Sequence, residues 1–591
     1  MRLFLKLFNK FLYWRINHIS KRNFLVLASV IVGAVSALAA VILKMFVHWL
    51  HRIPEYFSHV STSHLWYIFL PLTGIVITTI ITKILFKGKL EKGLGNILFS
   101  ISRKSSRMEK EKMYSHIITS GITVGLGGSA GLEAPIMITG AAIGSNMARF
   151  LNLGYKDRTL LLACGAAAGI AAVFNSPIAG VIFALEVLLT EISIPVFIPL
   201  LISTATSIIV SKFLYKGQLF YLVTNDWYYH AIPFYILLGI LCGLISVYMT
   251  RVTLNVEGFF ARKKNIYTKA VMGGLSLGIL IFIFPPLFGE GYDTVKTILA
   301  GAYSDLLNFS LFEPFKNNPW VVLLVTSVII MLKVTATSLT LGSGGNGGIF
   351  APSLFTGALT GFGLAFFVNT TGINNLHVGN FIVVGMAGIL SGVVHAPLTS
   401  IFLIAEITGG YVLFVPLMIV SALSYFISKY FEPYSIYTKK LAQRGHLLTH
   451  DKDSNILTLL KLDDLIERDM IPLKSSGTLK SLVDAFSVSN QSIFPVVDAG
   501  MNLLGVIYLD NVKHLLFDKE LYNQVKILDI TDTTVISIDK SENMDAAIKK
   551  FENTKSASIP VVNGTRYIGC ISRSNIFSYY RRMLKQTALL F

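Results

Sequence analysis

Apolar positions come in long blocks. The run FLVLASVIVGAVSALAAVIL, Phe24–Leu43, carries no charge, and about 20 such residues cross a bilayer as a helix. Comparable blocks recur to about residue 442, with polar residues held in short stretches between them. Past Ala442 the pattern changes, and Asp451, Lys452 and Asp453 open a mixed sequence of ordinary soluble character. The pattern predicts a basic segment 1–22, a polytopic α-helical membrane domain 23–442, a linker 443–462, and two soluble modules at 463–526 and 527–585.

Several blocks are short and interrupted. Pro135, Pro177, Pro352 and Pro397 each fall just inside the start of one, where a helix tolerates proline because that N–H has no partner anyway. These positions predict helix starts inside the membrane domain, that is, broken or re-entrant helices. Such backbone survives at membrane depth only where protein buries it or it lines a cavity.

The blocks also repeat. GLEAPIMITGAAIG (Gly131–Gly144) reads against GIFAPSLFTGALTG (Gly348–Gly361) at an offset of 217, and SPIAGVIFALE (Ser176–Glu186) against APLTSIFLIAE (Ala396–Glu406) at an offset of 220. Two matched blocks in one order predict a duplicated domain, with halves of about 23–215 and 230–438. Transporters built from repeats often invert one half and place the working site where the halves meet. The tail repeats too: Gly477–Leu516 resembles Glu542–Tyr580, each with an amphipathic helix, an IFPVV or SIPVV strand, a turn, a second strand and a closing helix. That order predicts a pair of α/β modules.

Composition agrees with the membrane reading: 53% of the 591 residues are hydrophobic and 14% charged, with a mean hydropathy of +0.62. The net charge of +18 raises nucleic acid as a partner, but its distribution argues against that. Arg2, Lys6, Lys10, Arg15, Lys21 and Arg22 precede the first span; Arg103, Lys104, Arg107, Lys110 and Lys112 form a second cluster; Arg262, Lys263 and Lys264 a third; Lys439, Lys440 and Arg444 follow the last span. This is the positive-inside pattern, and it predicts both termini in the cytoplasm of a multi-pass plasma (inner) membrane protein. The basic start leads into a run too long for a signal peptide, so no cleaved leader is expected. Cys164, Cys242 and Cys570 are widely spaced, which predicts neither a disulfide framework nor a metal site.

The chemistry follows from the helix starts. Unpaired N–H groups and the positive end of the helix dipole bind anions, and several such ends would cradle a small anion loosely enough for it to leave again. Glu133 is the one carboxylate in its block, and the second copy has Phe350 in its place. A carboxylate can occupy the cradle instead of the substrate and be released by protonation, so Glu133 is a candidate gate rather than a structural cap. Glu186 and Glu406 occur in both halves, and that symmetry predicts bonding to loop backbone near a helix end. Tyr434, in EPYSIYTKKLAQ, reads as an interfacial anchor or as a hydroxyl aimed at the anion. An intramembrane acid/base enzyme and a cation transporter are weaker readings: no H-E-x-x-H motif is present, and cation sites gather several oxygens. No metal and no required cofactor are predicted.

These residues resemble the family of CLC chloride channels and proton/chloride antiporters. GLEAP is similar to its G-[K/R]-E-G-P motif, GGIFAP to its G-x-F-x-P motif, and PYSIYTKKLAQ to its final helix with an anion-coordinating tyrosine; the tail resembles the paired CBS modules of many members. The resemblance implies a homodimer in the lipid bilayer, each subunit having two inverted halves and its own pathway for chloride and, in the antiporters, protons. It implies Glu133 as the gate, Ile349 and Phe350 as backbone anion contacts, and Tyr434 as the hydroxyl ligand.

Three departures bear on function. The G-S-G-I-P motif falls at GLGNI (Gly93–Ile97), so Leu94 replaces a selectivity serine and the site there rests on the backbone of Leu94 and Gly95. Leu132 replaces a basic residue and Ala134 a glycine. The inner glutamate of the antiporters is Val187 here, beside Glu186; an isopropyl group passes on no proton, which favours a passive voltage- or pH-gated channel over a proton-coupled antiporter. In the CBS pair the nucleotide pattern matches at Gly569, Ser572 and Asn575, while the first copy offers Tyr508 and Asn511. That leaves adenine nucleotide binding open beside a purely structural tail.

Overall fold

The structure, a computed structural model, describes residues 18–581 apart from 61–65, 89, 91–92, 190–193, 216–224, 309, 311, 444–461, 490, 543, 555 and 580. Most of the basic N-terminal segment and of the linker therefore lies outside the described residues. The chain divides into two compact units, Met1–Leu447 and Leu448–Phe591.

The first unit is helical. Its first half contains α1 (Lys21–Val60), α2 (Trp66–Ile84), α3 (Gly95–Arg103), α4 (Ser115–Gly125), α5 (Glu133–Phe150), α6 (Tyr155–Phe174), α7 (Pro177–Phe183) and α8 (Ile194–Leu214). Its second half contains α9 (Ile232–Ala261), α10 (Ile266–Ile283), α11 (Tyr292–Leu299), α12 (Pro319–Ser343), α13 (Phe350–Thr370), α14 (Val378–Val394), α15 (Pro397–Ile407) and α16 (Phe414–Phe431), and the short α17 (Lys439–Gln443) closes the unit. Among the described residues, nine helices are long and apolar enough to span a membrane; α7, α14 and α15 fall among shorter apolar helices. The protein is membrane-spanning, with α5, α6, α13 and α14 at its buried centre and apolar side chains of α1, α8, α9 and α16 exposed on its flanks.

The repeat is visible atom by atom. In the first half α5 meets α6 where Gly140 crosses Gly165 and Gly144 crosses Leu161; in the second α13 meets α14 where Gly357 crosses Gly385 and Gly361 crosses Phe381. A Cβ on Gly144 would lie 1.9 Å from the Leu161 carbonyl oxygen, and one on Gly361 1.9 Å from that of Phe381. Glycine at these crossings lets backbones touch, the usual device where lipid supplies no hydrophobic drive between helices. Asn175 and His395 end α6 and α14 in the left-handed conformation (φ 55° and 61°), and prolines two residues on start α7 and α15. Gly131 and Gly348, equivalent residues of the two halves, form an antiparallel bridge with N–H···O distances of 2.8 and 2.7 Å. Equivalent residues pair antiparallel when a two-fold axis passes between them, the relation that inverted halves require.

The second unit holds two three-stranded sheets. One orders β1 (Leu473–Lys474), β2 (Ile493–Val497) and β3 (Leu503–Tyr508); the other orders β4 (Ile538–Asp539), β5 (Ser558–Asn563) and β6 (Arg566–Ser572). In each, the short first strand is parallel and the hairpin antiparallel, with matching irregularities at Val496/Val497 and Val561/Val562. The helices α18 (Leu479–Val488) and α20 (Met544–Thr554) bury Leu482 and Phe551 against the sheets, and the short α19 (Leu509–Val512) follows β3. The three cysteines are free and buried; burial pushes the Cys570 thiol up to about 12, which leaves it unreactive at neutral pH.

Candidate functional site

The Gly131–Gly348 bridge brings the starts of α5 and α13 face to face. Helical bonding begins at Leu132 and Ile349, whose carbonyls accept from Ile136 (3.1 Å) and Ser353 (3.0 Å). The N–H groups of the first turns therefore have no partner within their own helices and point into the junction. Glycine is required here: a Cβ on Gly348 would come within 2.7 Å of the Ala134 methyl. A cavity of about 470 Å3 opens beside the junction, lined by Gly95, Gly347, Gly348, Ile349 and Tyr437, with Glu257 and Lys269 also on its wall. At the start of α3 the Leu94 side chain is fully buried and its carbonyl accepts from Ile97 (2.9 Å); Gly95 lines the cavity. The Phe350 ring is buried in the core and packs on Phe174 at 6.0 Å, so only its backbone is offered to the junction.

Tyr434 is not part of this site. Its side chain is 43% exposed. Tyr437 takes the place: it is 8% exposed, lines the cavity, and its buried hydroxyl has no hydrogen-bond partner. The segment between α16 and α17 is not helical, so its period cannot be inferred from a helical repeat, and the inward phase falls three residues later than expected. Tyr437→Phe is expected to weaken anion binding about fivefold, the value of one hydrogen bond of about 1 kcal/mol. Tyr434→Phe should leave it unchanged, with both read by calorimetric titration of the anion in detergent.

Glu133 is fully buried. Its Oε1 accepts from the Tyr292 hydroxyl at 2.5 Å. Its Oε2 is folded over Gly131, where a Cβ would lie 2.1 Å away, and the backbone N–H groups of Glu133 and Ala351 act on the carboxylate. The carboxylate thus lies over the two helix starts. Lys44 of α1 and Glu290 also act on it, and Glu290 Oε1 accepts from the Leu132 N–H at 3.2 Å. Lys44 Nζ is held by the carbonyls of Ala172 (3.0 Å) and Val173 (2.7 Å) at the end of α6. Sequence reasoning missed Tyr292, Glu290, Lys44 and Lys333. One usable signal was FGEGYD, in which Glu290 stands between two glycines beside an apolar run.

The family model described as "Voltage gated chloride channel" matches residues 73–429. The chain belongs to that family. A second family model, "CBS domain", matches residues 527–582. A protein of Ralstonia nicotianae described as ClcB-like is 32% identical over 54% of this chain and 72% of its own length. The voltage-gated ClC-type chloride channel ClcB of Escherichia coli O9:H4 is 29% identical over 56% and 74%. Among solved structures, a slow cyanobacterial Cl−/H+ antiporter superposes with a TM-score of 0.61 at 20% identity, over 72% of this chain and 98% of its own; at that identity the likeness concerns the fold. Members of the chloride channel family are channels and transporters, so an enzyme reading is set aside.

In this family member the two symmetric glutamates cap each other's half. Glu186 lies in a π-helical turn, Ala184–Leu188, that extends α7, and accepts from the N–H groups of Leu398 (3.1 Å) and Thr399 (2.8 Å) at the start of α15. Glu406 of α15 accepts from Ile178 (3.0 Å) and Ala179 (2.9 Å) at the start of α7. Each carboxylate is bound to a helix start with both oxygens, the placement the helix dipole favours. Val187 packs partly buried against the core.

In the CBS unit the second-copy candidates bond within the chain. Ser572 donates to Glu467 (2.5 Å), and Asn575 donates from its amide nitrogen to the Leu465 carbonyl (2.8 Å). The backbone of Glu467 also lies 2.6 Å from where a Cβ on Gly569 would stand. In the first copy Tyr508 is half-buried and Asn511 exposed.

Proposed function

We propose that the protein conducts a small anion, chloride first, passively across the bilayer, with Glu133 as its gate. The observation that carries this reading is the position of the Glu133 carboxylate on the Gly131–Gly348 junction, against the N–H groups of both helix starts. Ionised, it fills the anion's place. Protonated, it loses its attraction to the helix ends, swings away, and leaves those N–H groups to the anion. The anion is then met by the backbone of Ile349 and Phe350, by Gly95 and Leu94 at the start of α3, and by the Tyr437 hydroxyl. With Leu94 offering no hydroxyl, selectivity in this part of the site falls to backbone and to Tyr437. The working form is a homodimer, each subunit conducting separately, with both termini in the cytoplasm.

Passive conduction is supported by Val187, which carries no proton, and by Glu186, whose two oxygens are both engaged. One observation favours proton-coupled exchange instead: Glu290, a second buried carboxylate, acts directly on Glu133. Purified full-length protein in vesicles under a chloride gradient separates the two. A passive channel reverses near the chloride potential, about 59 mV per tenfold gradient for a monovalent ion, and moves no protons. Proton uptake driven by the chloride gradient would overturn the channel reading.

A further inference from the structure

The turn before α11 is built far more rigidly than a connection between helices requires. Gly289 and Gly291 take left-handed backbone (φ 57° and 89°), and a Cβ on Gly291 would lie 2.4 Å from the Phe355 ring. Lys333, fully buried on α12, donates to the carbonyls of Leu287 (3.3 Å) and Gly289 (3.0 Å), with its ammonium over Phe355 at 4.7 Å. Gly289 N–H donates to the Gly127 carbonyl (3.3 Å), and Phe288 fills the space beside Gly127. Glu290 accepts from Leu132 N–H. The turn is thereby fastened to α12 and to the start of α5, the helix that carries Glu133. Its product is one fixed hydroxyl: Tyr292, the first residue of α11 and 5% exposed, donates to Glu133 Oε1.

We propose that Tyr292 is the latch of the gate, a positioning residue whose hydroxyl holds the Glu133 carboxylate in the anion's place and sets the pH at which it lets go. The assignment rests on the reading of Glu133 as the gate. The charged and titratable groups facing Glu133 are Lys44 from α1, Glu290 from the turn, Tyr292 from α11 and Tyr437 from the segment before α17. Among the described residues, Tyr292 hydrogen-bonds the carboxylate through its side chain. Lys333 acts on Glu290 rather than on Glu133. An O–H donor to a carboxylate stabilises the ionised form, so removing it raises proton affinity, and the gate should open at higher pH. A charge-assisted hydrogen bond in a buried site corresponds to about one to two pH units.

The test is chloride efflux from vesicles holding the full-length protein, measured across a pH series. Tyr292→Phe is expected to move the midpoint of the flux–pH curve up by about one to two units, with more flux at neutral pH. A fluorinated tyrosine at position 292 keeps the shape, strengthens the donor, and should move the midpoint down; it serves also if Tyr292→Phe does not fold. In a Glu133→Gln background, where no carboxylate remains to be held, the effect of Tyr292→Phe should vanish. If Glu133→Gln alters flux while both Tyr292 variants keep the wild-type midpoint, the latch is overturned and the gate stands. If Glu133→Gln leaves flux and pH response unchanged, the gate reading itself fails. Equal loss of flux at every pH, in both backgrounds, would make Tyr292 merely structural and overturn the latch.

Discussion

Glu133→Gln is expected to raise anion flux at neutral pH by roughly tenfold or more and to remove most of its pH dependence. Gln keeps the size and shape of the side chain, so the buried packing survives. What it removes is the charge that competes with the anion. The ionised carboxylate is held by the starts of two helices, a favourable placement contributing up to about 2 kcal/mol, and by the Tyr292 hydroxyl, a charge-assisted bond contributing about 1.5–3 kcal/mol. Together these favour the closed arrangement by roughly a hundredfold or more at neutral pH, and an amide forfeits most of that preference. Efflux from vesicles at several pH values reads the result directly. A variant with wild-type flux and wild-type pH response would end the assignment of Glu133 as the gate.

Lys333→Met should destabilise the membrane unit by about 3–5 kcal/mol, the usual cost of removing one partner from a buried charged group. The lysine has no solvent exposure and is the donor to the carbonyls of Leu287 and Gly289. Methionine fills much the same volume but donates nothing, which strips two buried carbonyls of their donor and takes a positive charge from beside Glu290. The expected readout is a melting midpoint in detergent lowered by several degrees. Adding Glu290→Gln should recover part of the loss, because the uncompensated carboxylate is gone; such non-additivity is the mark of residues in contact. A Lys333→Met protein as stable as wild type would show that the turn does not depend on this lysine.

How much was legible in advance depended on whether the cause was local. The helix starts were, because proline is favoured in a first helical turn and Pro135, Pro177, Pro352 and Pro397 each lie in one. The mutual capping by Glu186 and Glu406 was legible in kind, since symmetric placement pointed to helix-end bonding, though not the fact that each caps the other half. Which tyrosine faces the cavity was not legible. Tyr434 and Tyr437 share one short motif, and the choice between them depends on how a non-helical segment turns toward the cavity.

The companions of Glu133 were hidden for a different reason. Tyr292 lies 159 residues along the chain from Glu133, and a buried charge finds its partners by spatial proximity rather than by spacing in sequence. The sequence by itself determined a duplicated membrane protein with broken helices, one unmatched carboxylate at a helix start, and a paired α/β tail, because backbone constraints on glycine and proline and the period of apolar residues are properties of short segments. Only the tertiary structure decided that the halves are inverted, that Tyr437 faces the cavity, that Tyr292, Glu290 and Lys44 surround Glu133, and that Lys333 stands behind Glu290. Desolvation makes each buried polar group seek a partner, and which partner it meets is set by the packing of helices far apart in the chain.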